Sequence, residues 1–377
     1  MARTVILGAG FGGIAVAREL RRLLGPDHEI VLLDRSEHFS MGLRKLWEVA
    51  GLGTIDEGTR AREALDGFRC EEITAIDLAQ RAVVTSDGSV DGLHLVVALG
   101  AEPRPDLVPG MTEHAHSPWN RELVAPLREA VEAFDGGRIA IVVTGAPYKC
   151  PPAPYECAML LEEALRTRGI RDRCELVVTT FQPILLPNAG KAGSDYLAQQ
   201  LAARGIRAEA GRKVQRYEAG RVVYEDAELE ADLIIGVPPH RVPAVIADSG
   251  LADANGWIEV DHGTLATRHP GVFAIGDVTG IKLANGLPLP KAGVIAERQG
   301  LRVAAAIAAE LSGGEPPPPF DGHGMCFLEM GSGEAALIEG DFFAEGEPDV
   351  RVVHGSAEHA REKRAFEAER LAAWFGG

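Results

Sequence analysis

The sequence predicts an α/β protein with two Rossmann-like dinucleotide-binding domains, the first of them discontinuous, followed by a small C-terminal α+β domain. Three observations predict it. The segment "RTVILGAGFGGIAVARELRRLLG" (3–25) passes from an apolar β stretch through a glycine-rich turn into a helix with apolar residues at 14, 16, 17, 20 and 23–24. A second strand–loop–helix rhythm starts at 138. The joint between them, "GAEPRPDLVPG" (100–110), is dense in Pro and Gly and separates one unit from the next. At 377 residues the chain is also long for one core, given roughly 150 residues per domain.

Within the first unit, "EIVLLD" (29–34) reads as a buried parallel strand that closes a βαβ motif, and shorter strands follow at 73–77, 82–85 and 93–99. The second unit reads as a strand at 138–144, a helix over about 155–168, a strand at 175–180, a helix at 194–204 and the strand "ADLIIGV" (231–237). A Pro-rich joint, "PPHRVP" (238–243), ends it. Residues 244–312 finish in the helix "AGVIAERQGLRVAAAIAAEL", and "GGEPPPPF" (313–320) is a stiff spacer of polyproline type. Residues 321–353 alternate as β-structure, and 356–375 form a charged helix carrying Phe366, Leu371, Trp374 and Phe375 toward its end. The expected boundaries are 1–110 with 244–312, then 111–243, then 313–377.

A net charge of −17 argues against nucleic-acid binding, which needs clustered Lys and Arg to release counterions. It would also repel anionic lipid, while permitting a basic protein partner such as a small cytochrome. No apolar run approaches the length of a membrane span; "VAAAIAAEL" (303–311) comes nearest. No export signal is read at the start of the sequence, so the expected compartment is the cytoplasm, where five unevenly spaced cysteines are redox-active or buried rather than a disulfide framework.

Gly8, Gly10 and Gly13 form G-x-G-x-x-G between strand and helix, which gives a tight turn, close backbone approach to a pyrophosphate and a helix N-terminus aimed at it. Asp34, at the end of the second strand, is placed to accept from both ribose hydroxyls. That set alone does not separate FAD from NAD. The segment "HPGVFAIGDVTG" (269–280) resembles the second FAD signature of flavoproteins with two dinucleotide domains, with Asp277 at the ribityl or pyrophosphate portion and Gly276 allowing close approach. "LVVALGAEPRP" (95–105) resembles the strand that leaves such an FAD domain. The loop before the helix at 292 carries Lys291, read either as a cation near the flavin pyrimidine carbonyl or as a solvated cap.

Where the second domain should carry its own nucleotide loop, the chain reads "TGAPYKCPPAPYECA" (144–158). Pro147 and Pro151 remove backbone N–H donors that would hold phosphates, so NADH binding is disfavoured on donor count. Cys157 falls in the first turn of the following helix, where packing outweighs a thiolate role, and Cys70 and Cys174 lie beside strands as inert residues. His114 and His116 are expected on one side of a strand and lack further metal ligands.

"YKCPPAPYE" followed by a helix resembles the redox-cysteine segment of the flavoprotein subunit of flavocytochrome c sulfide dehydrogenase and, more loosely, of sulfide:quinone oxidoreductases. The resemblance runs from the glycine loop through "GVFAIGD" and "PKAGVIAERQG" to "MCFLEM". It implies that Cys150 pairs with Cys326 next to the flavin, that one receives sulfur as a persulfide while the other faces the ring, and that electrons from sulfide or a related small sulfur donor reach a quinone or a cytochrome. Cys326 at the flavin and Cys150 as the sulfur carrier is the implied arrangement, with the reverse left open. "HFSMGLRKLW" (38–47) lacks the cysteine that bonds covalently to the flavin in the flavocytochrome subunit, so noncovalent FAD is expected. Nor does "HAHSPWN" (114–120) supply the extra first cysteine of some sulfide:quinone oxidoreductases. Phe327, Phe342, Phe343, Trp374 and Phe375 are read as a quinone slot with peripheral membrane contact, or as core and homodimer contacts. An NADH:quinone oxidoreductase or pyridine-nucleotide thiol reductase, and a non-enzymatic flavin redox sensor, are the competing readings.

Overall fold

The structure is a computed structural model that describes residues 2–376. The first sheet starts with β1 (Arg3–Leu7), whose Val5, Ile6 and Leu7 are fully buried, and continues through α1 (Phe11–Leu24) into β2 (Glu29–Asp34). A short helix, α2 (Arg44–Val49), follows, and β3 (Phe68–Cys70) and β4 (His94–Val97) add to the same sheet. Apolar side chains on both faces make these strands continuous hydrophobic runs, the pattern of a parallel sheet covered on both sides.

The second sheet is built from β5 (Gly137–Val143), α3 (Ala153–Thr167), β6 (Cys174–Thr180), α4 (Gly190–Ala203), β7 (Ile206–Glu209) and β8 (Leu233–Val237), paired in parallel in the order β7-β6-β5-β8. The chain then returns to the first sheet with β9 (Val272–Ala274), giving β9-β4-β1-β2-β3, and runs into α5 (Gly293–Ser312). Two Rossmann-like sheets are what the periodicity predicts, and a first sheet sewn from separated segments is what the resemblance of 269–280 to an FAD signature implies. α1 and α5 lie against each other because a glycine sits at their crossing: a Cβ on Gly300 would come within 2.6 Å of the Gly12 carbonyl oxygen.

A third, antiparallel sheet follows: β10 (His323–Gly331), β11 (Glu334–Asp341) and β12 (Asp349–Ser356), with α6 (Ala357–Phe375) behind it. Ser356 caps α6 by accepting from His359 N–H at 3.2 Å. The far end of α6 reaches back to the first sheet's unit. Trp374 meets Phe11 edge-on at 5.0 Å and Phe39 at 5.5 Å, Arg370 pairs with Glu297 at 2.9 Å, and Arg18 donates to the Trp374 carbonyl at 3.3 Å. Trp374 and Phe375 are therefore packing residues here, and Phe343 stacks on His262.

One local expectation fails. His114 ends a short helix, Met111–His114, and His116 bridges to Ile235, so the two imidazoles do not share a strand face. The preceding Gly110, at φ +73°, turns the chain into that helix instead.

Candidate functional site

The glycine turn is fixed by backbone bonds: Gly8 N–H donates to the Leu33 carbonyl at 2.7 Å, and Ala9 N–H to Asp34 Oδ2 at 2.9 Å. Gly13 is a packing requirement, since a Cβ there would lie 1.8 Å from the Gly8 carbonyl oxygen. Gly10 is the N-cap of α1, and a Cβ on it would meet no atom within 4 Å, because it looks into open cavity. Asp34 is more engaged than its position in the sequence suggests. Oδ1 accepts from Ser36 N–H at 3.0 Å and from Arg62 Nη1 at 2.8 Å. With about four acceptor directions on a carboxylate, three are used, so a ribose finds one open rather than a pair.

Across the cavity, Gly276 (φ +71°) and Asp277 form the turn after β9, and Gln299 Oε1 accepts from Gly276 N–H at 2.7 Å. Lys291 is not a solvated cap. It is 6% exposed, its Nζ donates to the carbonyls of Asp277 (2.6 Å) and Thr279 (3.1 Å), and it lies 3.8 Å over the Trp257 ring. Burial lowers its pKa to about 8, with Asp277 opposing and Lys149 adding to the shift.

Cys150 and Cys326 are 176 residues apart in sequence, yet their Sγ atoms stand 3.8 Å apart. The loop before α3 supplies one and the middle of β10 the other. Cys150 adopts φ +56°, held by its N–H bond to the Lys291 carbonyl at 2.9 Å, which ties the cysteine loop to the segment that enters α5. Its hydrogen bond with the Cys326 sulfur, followed by burial, raises the Cys150 pKa. Closing the pair to the disulfide length of about 2 Å needs a shift of under about 2 Å. Cys157 points elsewhere: it is 1% exposed and burial pushes its thiol up to about 12. Cys174 is buried and Cys70 exposed at the β3 edge, opposite Asp34.

Every predicted site residue except Gly13 lines one cavity of about 500 Å³, within the range of ligand sites. The same walls hold residues that sequence reasoning missed. Lys363 Nζ, 4% exposed, donates to Glu156 Oε1 at 2.6 Å and to Glu329 Oε2 at 2.9 Å, and Trp47 Nε1 donates to Glu329 Oε2 at 2.5 Å. Glu329 N–H in turn donates to Glu156 Oε2 at 3.0 Å. Burial alone pushes the Lys363 pKa down, and the two carboxylates more than reverse it, leaving it raised. Burial raises the Glu156 pKa, against the pull of Lys363. Of the aromatic residues expected at a quinone slot only Phe327 lines this cavity, joined by Phe366 at 6.3 Å, whereas Phe342 faces a smaller apolar pocket behind Cys326.

These residues fit a dinucleotide: a glycine turn with open space before it, a helix N-terminus and a ribose carboxylate line the same cavity as the cysteines. The profile of the pyridine nucleotide-disulphide oxidoreductase family matches residues 2–300. Mitochondrial sulfide:quinone oxidoreductase of Mus musculus is 23% identical over 364 residues, which cover 90% of this chain and 78% of that protein. A type II NADH:quinone oxidoreductase of Staphylococcus haemolyticus is 26% identical over 335 residues, 82% of this chain and 83% of that protein. Among solved structures, the sulfide:quinone oxidoreductase of Aquifex aeolicus superposes with a TM-score of 0.90 at 24% identity, covering 100% of this chain and 92% of that one.

Proposed function

Because the chain belongs to the pyridine nucleotide-disulphide oxidoreductase family, we propose that it is an FAD-dependent enzyme that oxidises sulfide, or a related small sulfur species, at Cys150 and Cys326 and delivers the electrons to a quinone. The observation that carries this reading is the 3.8 Å approach of two thiols, one from the loop before α3 and one from β10, on the wall of the dinucleotide cavity. FAD, held noncovalently by the glycine turn and Asp34, would supply two-electron acceptance. In the oxidised pair, hydrosulfide attacks one sulfur, the Cys150–Cys326 bond breaks, and the other cysteine leaves as a thiolate while the first keeps the added sulfur as a persulfide. Phe327 and Phe366 offer apolar planes to a quinone ring, and the neighbouring Glu156–Lys363 pair offers it a proton. Among the described residues no helix is long and apolar enough to cross a membrane.

The type II NADH:quinone relatives make NADH the competing donor. From Cys150 to Glu156, where the loop that would hold its phosphates enters α3, no N–H is to spare. Pro147, Pro151, Pro152 and Pro154 have none, Cys150 N–H is given to Lys291, Ala153 N–H to Cys150, and Tyr155 and Glu156 N–H to Pro152. The test is anaerobic addition of sulfide or NADH to the flavin-loaded protein, followed by flavin bleaching. Sulfide is expected to bleach rapidly, NADH slowly, and Cys150→Ser and Cys326→Ser to abolish the sulfide reaction. Rapid bleaching by NADH, or sulfide bleaching that survives both substitutions, overturns the reading.

A further inference from the structure

The cavity that Cys150 lines also carries, in its wall, two ammonium groups without a carboxylate partner among the described residues. Lys45, from α2, donates its Nζ to the Trp119 carbonyl at 3.0 Å. Trp119 Nε1 donates in turn to the Lys149 carbonyl at 3.0 Å, so Trp119, through its carbonyl and its indole, ties the Lys45 side chain and the Lys149 backbone to the same wall. Among the described residues no carboxylate lies within 4.0 Å of either Nζ, and the Lys149 ammonium has no hydrogen-bond partner. This is unusual for a chain of net charge −17, in which Lys363 has two carboxylate partners. Burial, then Lys149 and Arg121, lower the Lys45 pKa to about 8. Lys149 also lowers those of Lys291 and of the buried His240. Uncompensated cations in a half-buried cavity are retained at a cost, and an anion that enters removes it.

Resting on the donor assigned above, we propose that Lys45 and Lys149 form the subsite that captures the donor as an anion, hydrosulfide or another small anionic sulfur species, and holds it against Cys150. Chain position then assigns the two cysteines: Lys149 precedes Cys150 directly, whereas Cys326 comes from a different element, β10, and lines the same cavity. The anion's lone pair forms the new bond to Cys150 Sγ, the bond to Cys326 breaks, and its electron pair leaves with Cys326 as thiolate, so that atoms and charge balance with the disulfide as oxidant. The lysines stabilise the incoming negative charge before the bond forms.

The negative charge they serve could instead belong to the reduced flavin, and the experiment separates the two. Flavin bleaching is followed against sulfide concentration at pH 7 in the flavin-loaded wild type, Lys149→Gln, Lys149→Arg and Lys45→Met, with thiocyanate as an unreactive anion and with the flavin reduction potential measured in each. In Lys149→Gln the half-saturating sulfide concentration is expected to rise about tenfold, as for loss of one charge-assisted contact, with a smaller effect on the limiting rate and recovery in Lys149→Arg. Thiocyanate is expected to compete with sulfide in the wild type and to lose potency in Lys149→Gln and Lys45→Met. An unchanged half-saturation, absence of thiocyanate competition, or a shifted flavin potential that accounts for the rates overturns the subsite. If sulfide fails to bleach even the wild type, the donor assignment fails instead, and the thiocyanate perturbation of the flavin spectrum still tests the subsite.

Discussion

Replacing Lys363 by Met removes the buried cation from between Glu156 and Glu329 and tests whether the two are held as ions. All three side chains are at most 5% exposed, and the ammonium is 2.6 and 2.9 Å from the two carboxylates. Breaking such a pair by removing one partner costs about 3–5 kcal/mol. The lower end, about 3 kcal/mol, is expected, because Glu329 keeps the Trp47 indole and Glu156 keeps the Glu329 N–H. The sign with pH follows from the carboxylates. Without Lys363, which pulls it down, the folded Glu156 pKa rises further above the ordinary range, so the folded state binds a proton that the unfolded chain has released. The penalty is therefore full at pH 8 and shrinks as pH falls toward 5. Urea denaturation at a fixed excess of FAD, which holds the ligand contribution constant, reads the shift at unchanged m. Adding Glu156→Gln and Glu329→Gln keeps an acceptor for each remaining donor and is expected to recover most of the loss. A single-variant cost below about 1 kcal/mol that does not change with pH would refute the ionic description.

Gly13→Ala forces a Cβ into the Gly8 carbonyl oxygen, with 1.8 Å between them and backbone on both sides; it is expected to cost about 3 kcal/mol and to yield protein that loses its flavin on gel filtration. Cys157→Ala leaves a small cavity in the second core, costs about 1 kcal/mol, and keeps the sulfide bleaching rate; a fivefold slowing would return Cys157 to the chemistry. In the wild type the Cys157 thiol, buried and raised to about 12, should resist an aromatic disulfide reagent at pH 8 that modifies the exposed Cys70. The donor subsite titrates downward in affinity as pH rises. Lys45 is charged below about 8 and neutral above it, with Lys149, Arg121 and the neutral His240 as its charged or titratable surroundings. The half-saturating sulfide concentration should therefore climb above that pH, and a flat profile to pH 9.5 would show that Lys45 does not bind the donor.

The parts of this site that the sequence revealed are those whose physics is local. Gly8, Gly10 and Gly13 share one turn, Asp34 ends the adjacent strand, and the prolines around Cys150 cancel phosphate donors within a few residues. The Cys150–Cys326 approach lies beyond that range, and it was legible only because a family resemblance supplied the partner 176 residues away. No resemblance was read for the Lys363 cluster, whose bonds span 34, 207 and 282 residues. Glu156 and Lys363 look in sequence like ordinary charges on helix faces. Only the crossing of α3, β10 and α6 converts them into buried partners. Asp34 shows the opposite error: its spacing marks the right carboxylate, but Arg62, 28 residues on, takes one of the acceptor directions the ribose was expected to use. The Lys45–Lys149 pair failed to stand out for a further reason. A lysine without a carboxylate neighbour is unremarkable on a surface and informative only when it is half-buried beside Trp119 in a cavity wall, a fact of packing that no spacing encodes.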